Sequence, residues 1–234
     1  MTWHLSLRAI FTICCAALFL SVTETTAQQP TRVLIVGDSI MQAVARSLER
    51  QLARRDGVEV SSHTHIGTGL ARLDLYDWHE KIRTEVAAHR PDTVLIMIGA
   101  NDNQAMRTNG QVVRPGSSEW EREYARRAGE AMDIMLRGGV QRIHWLELPD
   151  MRDARLQQDV TLINRLVRAE CDQRPEATYQ ETRSLLSREP GTYSPYIIQA
   201  NGMPLDIRSG DGIHFNRRGA DLLAERMIER IWGN

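Results

Sequence analysis

Short apolar segments alternate along this chain with longer amphipathic segments, and this alternation limits the folds that the chain can adopt. Two of the apolar segments, 32–36 and 93–98, are continuous aliphatic runs, which is typical of strands buried on both faces of a sheet. Strand then helix, repeated four times, predicts right-handed crossovers and a mostly parallel sheet covered on both faces. The other predicted strands are 58–61, 142–148 and 177–180, and the predicted helices are 40–55, 77–89, 117–137, 153–174 and 217–232.

Length and composition indicate one globular domain. The chain has 234 residues, of which 42% are hydrophobic and 25% charged, so it has enough apolar surface for one substantial core. The formal net charge is -1, and the arginines form no basic run or basic helix face. These features argue against a nucleic-acid partner.

The first 27 residues have the pattern of an export signal. Arg8 precedes an apolar run at 9–22, and Ala27 ends a stretch of small residues where a signal peptidase would cut. The run is shorter than the roughly 20 residues of a membrane-spanning helix, although an uncleaved anchor is the alternative. We therefore predict a mature domain at 28–234, periplasmic or secreted, with no stable membrane span. Of the three cysteines only Cys171 lies in that domain, which excludes an internal disulfide.

Three polar motifs directly follow predicted strands. Gly37-Asp38-Ser39 follows the first strand, the segment 67–70 follows the second, and Gly99-Ala100-Asn101-Asp102 follows the third. The carboxyl ends of parallel strands meet at one edge of a sheet, where α/β proteins bind their ligands. We therefore expect these motifs to converge on one site.

Ser39 is the predicted nucleophile of that site. It lies where a strand turns into a helix, and a helix N-terminus favours developing negative charge. Asp211 and His214 are three residues apart, a spacing that lets the carboxylate reach Nδ1 of the ring and leaves Nε2 to accept a proton from Ser39. The alternatives are that Asp38 or Ser39 only caps the helix that follows and that Asp211 is a turn residue beside a structural histidine.

Acyl transfer also requires hydrogen-bond donors for the oxyanion. The backbone N–H groups of Ser39 and Gly69 and the side-chain amide of Asn101 are the predicted donors. The alternative is that Gly67 and Gly69 are turn glycines and Asn101 is an Asx-turn residue.

Taken in order, these motifs resemble blocks I, II, III and V of the SGNH (GDSL-type) hydrolases. The matching residues are Ser39, Gly69, Asn101 and the pair Asp211 and His214, and a shift of two would align Gly67 instead of Gly69. The resemblance implies a flavodoxin-like, three-layer α/β/α sandwich with a five-stranded sheet. It also implies ester cleavage through an acyl-enzyme with no metal and no cofactor.

The segment 69–78 further resembles an exported bacterial branch of that superfamily with poorly defined substrates. Its periplasmic relatives often remove acetyl groups from envelope polysaccharides or transfer acetyl groups to them. The resemblance therefore implies a serine esterase acting on O-acyl esters of a polysaccharide. An O-acyltransferase and an inactive glycan-binding protein on the same fold are the alternatives.

Two further pairs of side chains are candidates for binding. Arg72 and Asp74 lie just beyond Gly69, and the Arg72 guanidinium is suited to grip a carboxylate or sugar hydroxyls unless the two residues only form a surface ion pair. His63 and His65 would lie on one face of a strand, as half of a metal site does. No Cys or carboxylate is near them in the sequence, so we predict no metal.

Overall fold

The central sheet has five parallel strands in the order β2-β1-β3-β6-β7. The computed structural model describes residues 29–108, 110–187 and 189–233. The strand order reverses between β1 and β3, as it does in flavodoxin-like folds. The strands are β1 (Thr31–Gly37), β2 (Val58–Thr64), β3 (Thr93–Met97), β4 (Met106–Thr108), β5 (Gln111–Val113), β6 (Arg142–Leu146), β7 (Ala177–Gln180), β8 (Tyr196–Ile198) and β9 (Pro204–Asp206).

Helices cover both faces of the sheet. The helices are α1 (Ser39–Leu52), α2 (Trp78–His89), α3 (Ser118–Arg137), α4 (Ala154–Cys171), α5 (Arg183–Leu186) and α6 (Arg217–Trp232). Helices α1 and α6 pack together, whereas α3 packs against both α2 and α4. This arrangement confirms the predicted three-layer α/β/α sandwich with a mostly parallel sheet.

The apolar runs form the centre of the sheet because their side chains have helices on both sides. Every residue of β3 is buried, and so are Val33 to Gly37 in β1. Gly37 ends β1 at a crowded point, where a Cβ would lie 2.3 Å from the Met97 carbonyl oxygen and 2.3 Å from the Met41 Cβ. The strand can therefore turn tightly into α1 only because this residue has no side chain.

Helix α6 is tied to α1 by polar contacts as well as by packing. The Asp221 carboxylate accepts a hydrogen bond from the Ser47 hydroxyl at 2.6 Å, and the Asp221 carbonyl accepts one from the Gln51 amide at 3.1 Å. Apolar residues of the same helix, including Leu223 and Met227, are fully buried. The last helix is thus a structural part of the layer that carries Ser39.

The segment between Pro190 and Gly210 contains a hairpin formed by β8 and β9. A second hairpin, β4–β5, and the short helix α5 were not predicted. No helix within the described ranges is long and apolar enough to cross a membrane. The predicted signal peptide, 1–27, lies outside the described residues.

Candidate active site

Ser39 is the first residue of α1, directly beyond the carboxyl end of β1. Its Oγ lies 2.8 Å from Nε2 of His214, which is 175 residues further along the chain. As the first helical residue, Ser39 has a backbone N–H that lacks an acceptor within the helix. The position therefore combines a hydroxyl with a hydrogen-bond acceptor for its proton and a backbone donor beside it.

Asp211 and His214 complete a continuous chain of hydrogen bonds. His214 Nδ1 lies 2.7 Å from Asp211 Oδ2, while Asp211 Oδ1 accepts the backbone N–H groups of Ile213 at 2.8 Å and His214 at 3.0 Å. Partial desolvation raises the pKa of Asp211, but the hydrogen bonds from the His214 ring and these two amides outweigh it and lower the pKa to about 2. The carboxylate therefore stays ionised beside His214 throughout the neutral range.

The turn that carries Asp211 and His214 is braced by two arginines that sequence reasoning missed. Arg152 donates from its backbone to the Gly212 carbonyl at 3.1 Å and from its guanidinium to the Gly210 carbonyl at 2.8 Å. Arg208 is buried and donates to the Ile213 carbonyl at 2.7 Å. No sequence pattern indicates these contacts, because each joins an arginine to a backbone carbonyl of a turn that is distant or separate in the sequence.

Asp38, which precedes Ser39 in the chain, is a buried carboxylate that links two loops. One oxygen caps α1 by accepting Ile40 N–H at 2.9 Å, and the other accepts Gly99 N–H at 3.0 Å and Ala100 N–H at 3.3 Å. Burial raises the pKa of Asp38 to about 6, although these three hydrogen bonds oppose the shift. The sequence predicted the capping role at most, and missed the contact with the loop after β3.

Asn101 lies beside the loop that contains Gly69. Its side-chain nitrogen donates to the Thr68 carbonyl at 2.9 Å, which uses one of its two N–H bonds and leaves the other available. Gly67 has a φ of +68° and open space around its α-carbon, whereas Gly69 is packed against the loop of Asn101. The match of Gly69 rather than Gly67 to block II, and the role of Gly69 as an oxyanion donor, stay predictions.

Asp102 fixes the Gly69 loop from below and was also missed. Its carboxylate accepts Leu70 N–H at 2.9 Å, Ala71 N–H at 2.8 Å and the Tyr124 hydroxyl at 2.8 Å. A Cβ on Gly69 would lie 2.0 Å from Asp102 Oδ1, so only glycine fits there. Burial raises the pKa of Asp102, against the effect of these donors. Asp102 therefore sets the position of the loop that carries Gly69.

Arg72 and Asp74 form a two-pronged ion pair on the surface. Arg72 Nε lies 2.8 Å from Asp74 Oδ1, and an Arg72 Nη lies 2.8 Å from Asp74 Oδ2. A further Arg72 nitrogen is 3.5 Å from the Gln104 side-chain oxygen. The ion pair uses two of the five guanidinium N–H bonds. A role for either residue in substrate binding stays a prediction.

His63 lies on β2 and His65 lies just beyond its end, and both contact Tyr76. His63 Nε2 lies 2.6 Å from the Tyr76 hydroxyl, and the ring of His65 packs on Tyr76. His63 Nδ1 is 3.4 Å from Glu85, so a carboxylate is adjacent after all, contrary to the expectation from sequence spacing. Glu85 is also paired with Lys81 at 2.7 Å. Within the described residues, no group of three or more His, Cys, Asp or Glu side chains is arranged to hold a metal ion.

Comparison with known proteins agrees with this architecture. A structure described as that of a GDSL-like lipase from Parabacteroides merdae has a TM-score of 0.56 at 17% identity, covering 86% of this chain and 95% of the other. One from Streptococcus pneumoniae described as a platelet activating factor has a TM-score of 0.57 at 14% identity, covering 89% and 87%. A carbohydrate esterase has a TM-score of 0.53 at 10% identity, covering 89% and 70%.

The chain thus shares its fold with a structure described as a GDSL-like lipase, which confirms the fold that the resemblance to the SGNH hydrolases implies. Residues 32–230 match the family model described as a protein of unknown function (DUF459), so the chain belongs to that family. A search of the curated proteins found no match.

Proposed function

We propose that this protein is a serine esterase that acts through an acyl-enzyme on O-acyl esters, chiefly acetyl esters, of cell-envelope polysaccharide. The observation that carries the proposal is the continuous hydrogen-bond chain from Ser39 Oγ through the His214 ring to Asp211. A periplasmic or secreted location follows from the export signal predicted at 1–27.

Each member of this chain has a distinct task in the proposed reaction. Ser39 Oγ attacks the ester carbonyl carbon while its proton moves to His214 Nε2. Asp211 keeps the ring oriented and stabilises the imidazolium that forms. The proton then passes to the leaving sugar oxygen, and water attacks the acyl-enzyme with His214 acting again as base. The acid is released and Ser39 regains its proton.

Stabilisation of the oxyanion is assigned to three donors. They are the backbone N–H groups of Ser39 and Gly69 and the free N–H bond of the Asn101 amide. The hydrogen bond from Asn101 to Thr68 supports this assignment, because it orients the amide before substrate binds. Loss of one such donor typically reduces kcat about a hundredfold or more.

Two observations support a carbohydrate ester and hydrolysis. A carbohydrate esterase shares the fold, and the His214 and Asp211 side chains are 35% and 45% exposed, so a large substrate has access to them. The same exposure gives water access to the acyl-enzyme, which favours hydrolysis over transfer to a sugar hydroxyl.

The test of the proposal is turnover of p-nitrophenyl acetate together with labelling by a fluorophosphonate probe. Wild-type protein should release p-nitrophenol and become labelled at Ser39, with or without EDTA, whereas Ser39→Ala should do neither. Ser118→Ala is the matched control, because Ser118, like Ser39, is the first residue of a helix. Full activity of Ser39→Ala, or labelling at another residue, would refute the proposed nucleophile.

The rival activities are separated by the products of an acetylated oligosaccharide. Free acetate is the product expected of the esterase, and acetyl groups transferred to an added acceptor sugar would identify a transferase instead. Absence of both products and of probe labelling would indicate an inactive glycan-binding protein.

A further inference from the structure

A groove of about 530 Å³ lies between α5, the segment that follows it and the β8–β9 hairpin. We call it the hairpin groove. It takes no part in the hydrogen-bond chain of Ser39, and its volume lies within the range of small-molecule sites. Most of its lining side chains carry a hydroxyl group, an aromatic ring or both: Ser184, Ser187, Thr192, Tyr193, Ser194 and Tyr196.

The hairpin groove is adjacent to the turn that carries His214. Its wall is attached to the carboxyl edge of the sheet, because Gly191 N–H donates to the Asp150 carboxylate at 3.0 Å. The Tyr193 ring centroid lies 5.1 Å from the guanidinium carbon of Arg208, and Arg208 donates to the Ile213 carbonyl. A single buried side chain therefore separates the groove from the residue that precedes His214.

The exposed surface of the groove combines apolar faces with hydroxyl groups. Tyr196 is 44% exposed and Ile198 is 39% exposed, so both present apolar surface to solvent. Among the described residues that line the groove, Glu189 is acidic and Arg226 is basic. This pattern matches a sugar ring, which has an apolar C–H face for an aromatic side chain and a rim of hydroxyls that both donate and accept hydrogen bonds.

We propose that the hairpin groove binds the sugar units of a polysaccharide chain that flank the unit whose ester is cleaved at Ser39. This inference deepens the proposed function and rests on it for the nature of the substrate. The chain would pass from the open edge at His214, over Arg208, and along the Tyr193 and Tyr196 side chains. The groove would thereby favour a polymer over a short ester without touching the reacting atoms.

Other ligands fit the groove less well. An anionic group such as phosphate would meet the Glu189 carboxylate as well as the Arg226 guanidinium. A lipid tail would leave the hydroxyl groups along the walls without hydrogen-bond partners. A second copy of this chain is the competing occupant, because it could cover the exposed apolar residues of the hairpin. The experiment therefore has to distinguish self-association from sugar binding.

The test measures, by calorimetry, the binding of sugar hexamers to the Ser39→Ala variant of the full protein. The hexamers are the neutral oligomers of N-acetylglucosamine and of xylose and the acidic oligomer of mannuronic acid. At least one hexamer should bind, more tightly than its monosaccharide. Adding Tyr196→Ala should weaken that binding roughly fivefold to tenfold through loss of aromatic contact. Tyr196→Phe should retain most of the affinity, because it keeps the ring.

Val112→Ala is the matched control, since Val112 is an exposed apolar residue of the other hairpin, β4–β5. Failure of every hexamer to bind would overturn the inference, and so would equal losses in the Tyr196→Ala and Val112→Ala variants. A change of oligomeric state in Tyr196→Ala, measured by light scattering, with sugar affinity unchanged would identify the hairpin as a self-association surface instead. If sugar binding depends on Tyr196 but the wild-type protein turns over no ester, the groove proposal stands and the proposed esterase function is refuted.

Discussion

Three carboxylates lie at the same edge of the sheet but in opposite environments: Asp211 is exposed, whereas Asp38 and Asp102 are buried. Asp211 is on an exposed turn, where hydrogen bonds overcome its partial desolvation and bring its pKa to about 2. Asp38 and Asp102 are fully buried, and burial raises the pKa of each. The exposed carboxylate faces a side chain that would move protons, whereas the buried carboxylates accept backbone N–H groups from neighbouring loops.

The difference separates two kinds of residue in this site: those that would take part in the chemistry and those that hold the loops in position. A residue on the exposed turn can change with little effect on the core, because its partners are the His214 ring and two turn amides. A change at a buried carboxylate leaves backbone donors in the interior without an acceptor and allows a loop to move. The comparison predicts that the two kinds of position respond differently in activity and in stability.

The largest expected effect is the loss of activity in Asp211→Asn. The amide cannot stabilise the imidazolium and favours the wrong ring tautomer, so kcat for p-nitrophenyl acetate should fall by about 10³- to 10⁴-fold. The melting temperature should change little. Asp56→Asn, in the exposed loop before β2, is the control and should keep wild-type kcat. A loss of less than tenfold in Asp211→Asn would contradict the proposed role of the carboxylate.

The next effect is a pH dependence of stability that comes from Asp38. Its folded pKa of about 6 exceeds the ordinary value of 3.8, so the folded state binds a proton between these values that the unfolded state releases. The contribution of Asp38 to stability is therefore fully present below about pH 4 and is lost as pH rises through 6. The size of this change is about 3 kcal/mol.

Denaturant unfolding of the wild type and of Asp38→Asn at pH 4 to 7 measures this contribution. The difference between the two proteins should shift in favour of the wild type as pH falls. Other buried groups act in both proteins, including His144, whose pKa burial lowers to about 4. For Asp211 the sign is reversed, since its lowered pKa makes its contribution disappear as pH falls from about 4 towards 2. A difference that is constant with pH would mean that Asp38 is not desolvated.

Asp102→Asn should lower both stability and activity by intermediate amounts. The introduced amide presents a donor to Leu70 N–H or Ala71 N–H, which should reduce the unfolding free energy by about 2 kcal/mol. Displacement of the Gly69 loop should also reduce kcat, but far less than Asp211→Asn does. Tyr124→Phe removes only one of the donors to Asp102 and should have a smaller effect on both quantities. Loss of stability without any change in kcat would separate Asp102 from the position of Gly69.

The smallest expected effect is that of Arg72→Ala. If the guanidinium reaches substrate, KM should rise for an acetylated oligosaccharide and stay nearly constant for p-nitrophenyl acetate, because only the larger ester extends to this loop. The ion pair with Asp74 limits the size of this effect. Equal changes for both esters, or none, would leave Arg72 as part of a surface ion pair.

Much of the fold was predictable because its signals are local. Continuous apolar runs identified β1 and β3, and apolar residues at helical spacing identified the long helices to within a few residues. The β4–β5 hairpin was missed even though Asn109-Gly110 is a strong turn signal, because its strands, Met106–Thr108 and Gln111–Val113, are too short to show alternation. The helix α5 is a single turn and has no periodicity to detect.

The site was predictable in part for the same reason. Short motifs nominated Ser39, Asp211 and His214, which the structure brings into one hydrogen-bond chain. The residues that hold those motifs in place were not predictable, because they bind backbone groups of distant segments. Arg152 donates to the turn at Gly210, and Asp102 accepts from the loop at Leu70 and Ala71. Such contacts depend on how two loops lie relative to each other in space, and a local sequence pattern does not show which segments come together.

The contact between α1 and α6 has a consequence for when this protein can become active. Ser39 lies on the first helix, while His214 immediately precedes the last helix, which docks on the first through Asp221. A ribosome makes the chain from its N-terminus, so the proposed nucleophile emerges long before the proposed base. The assembled triad depends on a contact between distant parts of the chain, and such contacts form slowly during folding. Esterase activity would therefore report the docking of the final helix, and a chain halted before residue 214 would be inert.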